Sequence, residues 1–168
     1  MRQLISTAGL LVILALPAHS STQHNPAATH GSNTPPHAMH AKYDDLKWQS
    51  MIPELGADSP QAAILHVDPK TQATQLLIRL PKRMQVPTHW HSANETHMVI
   101  KGTMVFEHGG ERHELGPGGF NYLPARIHHQ AWSSDDALVF ITVDSAWDVN
   151  WVSGPPTKDH LGKRPPTR

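Results

Sequence analysis

The chain has no cysteine. That excludes disulfides, thiolate zinc sites and a lipid-modified cysteine anchor. It also lacks net charge, because 14 basic residues balance 14 acidic ones. A balance of this kind gives no sign of a nucleic-acid surface. No apolar run reaches the ~20 residues needed to span a bilayer. Nor does any long stretch carry the three-to-four-residue period of an amphipathic helix. What remains is a chain of 168 residues, long enough for one domain with a core. It is rich in one unusual component, with 14 histidines. Imidazole is the commonest protein ligand for transition metals, so the excess leans toward metal chemistry.

Composition divides the chain into four parts. Residues 1–20 have the form of a secretory signal peptide: Arg2 as a minimal positive region, an apolar run from Leu4 to Leu16, and small residues around Ala18-His19-Ser20. The run is too short for a stable membrane anchor, so cleavage and a periplasmic or secreted location are expected. Residues 21–44 are rich in Ser, Thr, Asn, Pro and Ala and hold His24, His30, His37 and His40. They predict a disordered linker, whose histidines either collect metal weakly or are incidental to a solvated spacer. From residue 45 to 153 the character changes. Short runs rich in Val, Ile and Thr alternate with Gly, Pro and Asp, at Ala62–Val67, Thr74–Leu80, Thr103–Glu107 and Ala137–Val143 among others. Gly109-Gly110 predicts a hairpin loop. The pattern predicts an all-β sandwich or barrel. Residues 154–168, with four prolines and mixed charge, predict a disordered surface tail.

Two stretches carry the chemistry. In PTHWHSANETHMVIKG, residues 87–102, His89 and His91 share one face of a strand and Trp90 takes the other. Glu95 can return to the same point after a turn through Ser92, Ala93 and Asn94. Two nitrogens and one carboxylate oxygen on one side of a cation leave positions open on the other. In GGFNYLPARIHHQAW, residues 118–132, His128 and His129 face opposite ways in an extended chain. Only one of them can readily supply a further ligand.

These stretches resemble the two motifs of the cupin superfamily. The first is H-x-H, three residues, Glu, six residues, Gly, matched by His89, His91, Glu95 and Gly102. The second is Gly, four residues, Pro, then a histidine five residues on, matched by Gly119, Pro124 and His129. The likeness spans roughly residues 45 to 152 and is greatest to single-domain bacterial cupins. It implies a single double-stranded β-helix, the jelly-roll barrel. It also implies one divalent transition metal (Fe, Mn, Zn, Ni or Cu) on His89, His91, Glu95 and His129. Arg126 stands where the pattern usually has glycine, and His128 where many relatives have proline. In families with these motifs the metal often binds a diketone, enol, catechol-like or hydroxy-acid group and drives oxygen insertion, isomerisation or decarboxylation. The implied function is a metal-dependent oxygenase or isomerase acting on a small organic molecule. The alternative is a non-catalytic cupin that binds metal or a small ligand for sensing, storage or delivery.

Two further residues are candidates for catalysis. His97 lies two beyond Glu95, so it shares an inward face and either orients the carboxylate, acts as a general base, or is an ordinary strand histidine. Arg126 either pairs with an anionic substrate or points into solvent. Trp90, facing outward, would need cover, and a homodimer would provide it. Because protonated imidazole cannot ligate, metal loss is expected as pH falls below ~6.

Overall fold

Alternation of inward apolar and outward residues is clearest in Thr74–Leu80 and Ala137–Val143, and these become adjacent antiparallel strands at the centre of one sheet. The structure, a computed structural model, describes residues 38–166. The expected signal peptide, and the linker up to residue 37, lie outside the described residues. In chain order the strands are β1 (Gln49–Ser50), β2 (Gln61–Val67), β3 (Thr74–Leu80), β4 (Met84–Trp90), β5 (Glu95–Lys101) and β6 (Met104–His108). They continue as β7 (Glu111–Leu115), β8 (Phe120–Leu123), β9 (His129–Ser133), β10 (Ala137–Val143) and β11 (Asn150–Trp151). They form a six-stranded sheet, β1-β2-β3-β10-β5-β8, facing a five-stranded sheet, β11-β4-β9-β6-β7. Every pairing of named strands is antiparallel. This is the jelly roll expected from the sequence. Among the described residues no helix is long and apolar enough to cross a membrane.

The two inner faces meet in one core. Leu76, Ile78 and Leu80 of β3 and Val139, Ile141 and Val143 of β10 pack against Met104 and Phe106 of β6 and Ala131 of β9. The period of two then decides the site. On β5 the inward positions are Glu95, His97 and Val99, so a carboxylate and an imidazole enter the same interior as the core valine.

Two glycines of the motifs have backbone reasons. Gly102 turns β5 into β6 at a φ of 76°, and a Cβ there would lie 2.5 Å from the carbonyl oxygen of Asp136. Gly119 is held so close to Leu115 and Gly116 that a Cβ would meet each at 2.8 Å. We expect Gly102→Ala to cost about 3 kcal/mol, combining left-handed strain with a backbone clash. Urea unfolding at unchanged m-value measures it. A loss below about 0.5 kcal/mol would show that the turn tolerates a side chain.

The C-terminal segment departs from the expected disordered tail. Pro156 is buried, Lys158–His160 forms a 3-10 turn and Leu161 bridges to Met84. Leu161 packs on a small cluster of Ile52, Leu55 and Met84, and the Arg112 guanidinium donates to the carbonyl of Pro166. Proline and polar composition suggested disorder, but the segment has apolar surface to cover. The described end of the linker, residues 38–44, is exposed throughout.

Candidate metal centre

The pairing of β4 with β9 sets His89 directly opposite His129. Their ring centroids are 4.2 Å apart. His91, just past the end of β4, brings its ring to 5.0 Å from His89 and 5.3 Å from His129. All three are buried, and one nitrogen from each lies within 4.8 Å of the others. Trp90 points outward, as the alternation requires. There the ring of exposed His128 stacks on it at 6.4 Å, so His128 covers the tryptophan and His129 takes the inward place.

Each of the three rings is oriented by a backbone carbonyl. Nδ1 of His89 donates to the oxygen of Pro87 at 2.8 Å, and Nδ1 of His129 to that of Ile127 at 3.0 Å. Nδ1 of His91 donates to the oxygen of Asp148. With the proton on Nδ1, each Nε2 is left with a free lone pair, the form a metal ligand needs.

Glu95 reaches the same place from the other sheet. Its Oε2 is 2.9 Å from Nε2 of His91 and 3.2 Å from Nε2 of His97. The carboxylate is almost wholly buried, yet Oε2 makes no hydrogen bond of good geometry. A buried carboxylate oxygen without such a partner costs free energy unless a cation satisfies it. The spacing also suits neighbouring ligands: bonds of ~2.1 Å at right angles put donor atoms ~3 Å apart. The three histidines therefore form a group that fits one divalent transition metal, and the Glu95 carboxylate lies beside it against His91.

His97 plays a different part. As oriented, the amide of Asn121 donates to its Nδ1 at 3.3 Å, which places the ring proton on Nε2, facing Glu95. That tautomer turns an N–H toward the carboxylate, without hydrogen-bond geometry to Oε2, and has no free lone pair on that side. His97 is thus a positioning residue, and the general-base reading loses its geometry. The indole of Trp147 donates to Glu95 Oε1 at 3.2 Å, leaving Oε2 for the centre.

Arg126 is not brought to the site. It is exposed, and it does not line the cavity beside the histidines. Its φ of 66° explains why the motif usually has glycine here: a left-handed turn is required. Its contribution is a backbone N–H donated to the carbonyl of His91 at 2.8 Å.

Several positioning residues escaped sequence reasoning. The Asp148 carboxylate accepts from the backbone N–H of Ser92 at 2.8 Å and its hydroxyl at 2.6 Å. Asp144 accepts from the backbone N–H of Asn94 at 3.0 Å, and the Asn94 side chain accepts from Ala125 N–H at 2.9 Å. Together these pin residues 91–95 to both neighbouring loops. Their only advance signal is the clustering of Asp144, Trp147 and Asp148 after β10, which names no partner.

The electrostatics follow from burial. Desolvation pushes the pKa of His89 down to about 4. Desolvation, aided by neighbouring His89, pushes His129 down to about 3. Burial also opposes charge on His91, but the hydrogen bond and charge of Glu95 outweigh it and raise that pKa. Burial would raise Glu95, yet His97 and His91 together hold its pKa well below the usual carboxylate range. The site so presents two neutral imidazoles and an ionised carboxylate across the physiological range.

The ligand groups open onto a cavity of about 80 Å³, with Ile78, Leu80, Phe106 and Ile141 among its walls. Residues 76–144 match the family model of the cupin domain. No curated protein matches the chain. Among solved structures, KdgF from a Halomonas species is 21% identical with a TM-score of 0.52, over 61% of this chain and 92% of its own. An RmlC-like cupin from Ralstonia eutropha is 19% identical, with a TM-score of 0.55 over 65% and 69% of the two chains. A protein of Methylibium petroleiphilum described as a candidate acetylacetone dioxygenase is 15% identical, with a TM-score of 0.57 over 72% and 87%. At these identities the structural likeness speaks for the fold alone. The two-sheet jelly roll and the match over residues 76–144 together identify a cupin domain in this chain.

Proposed function

We propose that this protein is a secreted, metal-dependent cupin enzyme, of the oxygenase or isomerase type, acting on a small organic molecule. The observation that carries the metal is the orientation of three buried histidines by backbone carbonyls around an unsatisfied Glu95 oxygen. When bound, a divalent cation would supply Lewis acidity toward ligand oxygens at its open positions. The chain supplies the rest: it fixes four donors, shields them with Trp147 and Trp151, and leaves a largely apolar cavity next to them. Secretion rests on the pattern of residues 1–20 alone.

A non-catalytic binder is the second reading, and one observation favours it. The titratable groups lining the cavity are the four proposed ligands and His97, and His97 turns its inward N–H toward Glu95. Chemistry that needs a separate general base therefore lacks one among the described residues. Oxygen chemistry, or proton loss from a ligand acidified by the cation, does not need it.

The test is elemental analysis of protein purified from its native compartment, N-terminal sequencing, and oxygen uptake with small diketones, phenols and hydroxy acids. We expect one transition metal per chain and a mature start near Ser21. Uptake supports the oxygenase type. A redox-inert metal without uptake moves the reading to an isomerase or a binder, and a metal-free protein overturns it.

A further inference from the structure

We infer that the cavity selects small, compact chelators with an apolar body and at most one negative charge, and discriminates against dianions such as dicarboxylates. This deepens the metal reading above and rests on it.

The argument is one of size and charge. A cavity of about 80 Å³ has room for roughly six water-sized spheres, so a ligand sharing it with an ion must be small. Its polar groups are the ligand set, His97 and the indoles of Trp147 and Trp151. No lysine, arginine, serine, threonine, asparagine, glutamine or tyrosine lines it. Outside lies a groove of about 320 Å³, lined by Ala62, Ile64 and Pro155 among others. Groove and cavity share Met51, Ile52, Trp147, Val149 and Trp151, so these side chains form the partition between them. The groove has no charged side chain either.

A ligand taking this route meets no counter-charge until it reaches the centre. There a divalent cation beside ionised Glu95 leaves one positive charge. A singly charged chelator cancels it. A doubly charged one leaves an excess negative charge against aliphatic walls, which an apolar medium disfavours strongly. Its second carboxylate would also lose its hydration with no cationic side chain to replace water.

The test uses a matched pair, acetylacetone and malonate, which present two oxygens at similar spacing with methyl groups exchanged for charged oxygens. Each is titrated calorimetrically into the Ni(II)-loaded full chain, and into aqueous Ni(II) in the same buffer. We expect the protein to shift the affinity ratio toward the diketone at least tenfold relative to the free ion. Val149→Lys, which places a cation in the half-buried partition, should move the ratio back toward malonate by several-fold. A wild-type ratio equal to that of the free ion, or one shifted toward malonate, overturns this inference while leaving the metal centre intact. A chain that takes up no Ni(II) overturns both.

Discussion

His129→Ala abolishes the rise in melting temperature that a divalent metal gives the wild-type chain. Any protein that binds an ion only when folded gains RT ln(1 + [L]/Kd), about 2.7 kcal/mol at a hundredfold excess over Kd. His129 sits opposite His89 and closes the triangle of rings, so its loss leaves two nitrogens on one edge of the site. Metal affinity should fall at least a hundredfold. His128→Ala is the matched control: its ring stacks on Trp90 outside the barrel and should leave affinity within about twofold of wild type. The readout is the metal-dependent shift, not the melting temperature of the apo variants, because removing a buried ring changes packing as well. A full metal-induced shift in His129→Ala would remove it from the ligand set.

Affinity for metal falls about tenfold per pH unit between pH 6.5 and 4, with the slope of one proton, and steepens only below that. Three histidines of ordinary pKa would instead give a three-proton slope from ~6.5 downward. The difference comes from burial. Desolvation keeps His89 neutral to about 4 and His129 to about 3, so neither competes above those values. His91, raised by Glu95 despite its burial, is the one ring that does. The sequence-level expectation of loss below ~6 is thereby confined to a single group.

The apo protein is affected in a related way. For His89 and His129 the folded pKa lies below the unfolded one, so they favour folding least in acid: stability is full above ~6.5 and declines as pH falls toward 4. His91 has the opposite sign, but its contribution is already complete below its unfolded value and adds no slope in this window. The two buried rings therefore leave about 2.7 kcal/mol lost per pH unit in this window. Competition titrations for metal, and urea unfolding of the apo chain, both at stepped pH, measure these slopes. A three-proton metal slope starting at pH 6.5 would show that His89 and His129 titrate as exposed rings do.

The chain's local order was enough to place much of this. A period of two puts His89 and His91 on one side of Trp90, and Glu95, His97 and Val99 on one side of β5. Gly102 and Gly119 mark places where backbones turn or approach too closely for a Cβ. Strand runs interrupted by glycine and proline told of an all-β fold. Arg126 left two readings open, a binding role beside a ligand histidine or a loop charge in solvent. Its backbone conformation was the relevant property, and its side chain points into solvent. The tail misled because composition counts prolines and charges but not the surface they will cover.

What the residues determined alone was which donors exist and which of them share a strand face, since both follow from covalent geometry and alternation. Which of two adjacent histidines enters the barrel depended on the register of β9 against β4. The partners that aim the donors lie far off in sequence: Asp148 is 57 residues from His91, and Trp147 is 52 from Glu95. His89 and His129 come from one sheet and Glu95 from the other. A centre assembled across two sheets exists only once both have paired and packed, so only the tertiary structure could decide its tautomers, its apolar-walled cavity and its charge.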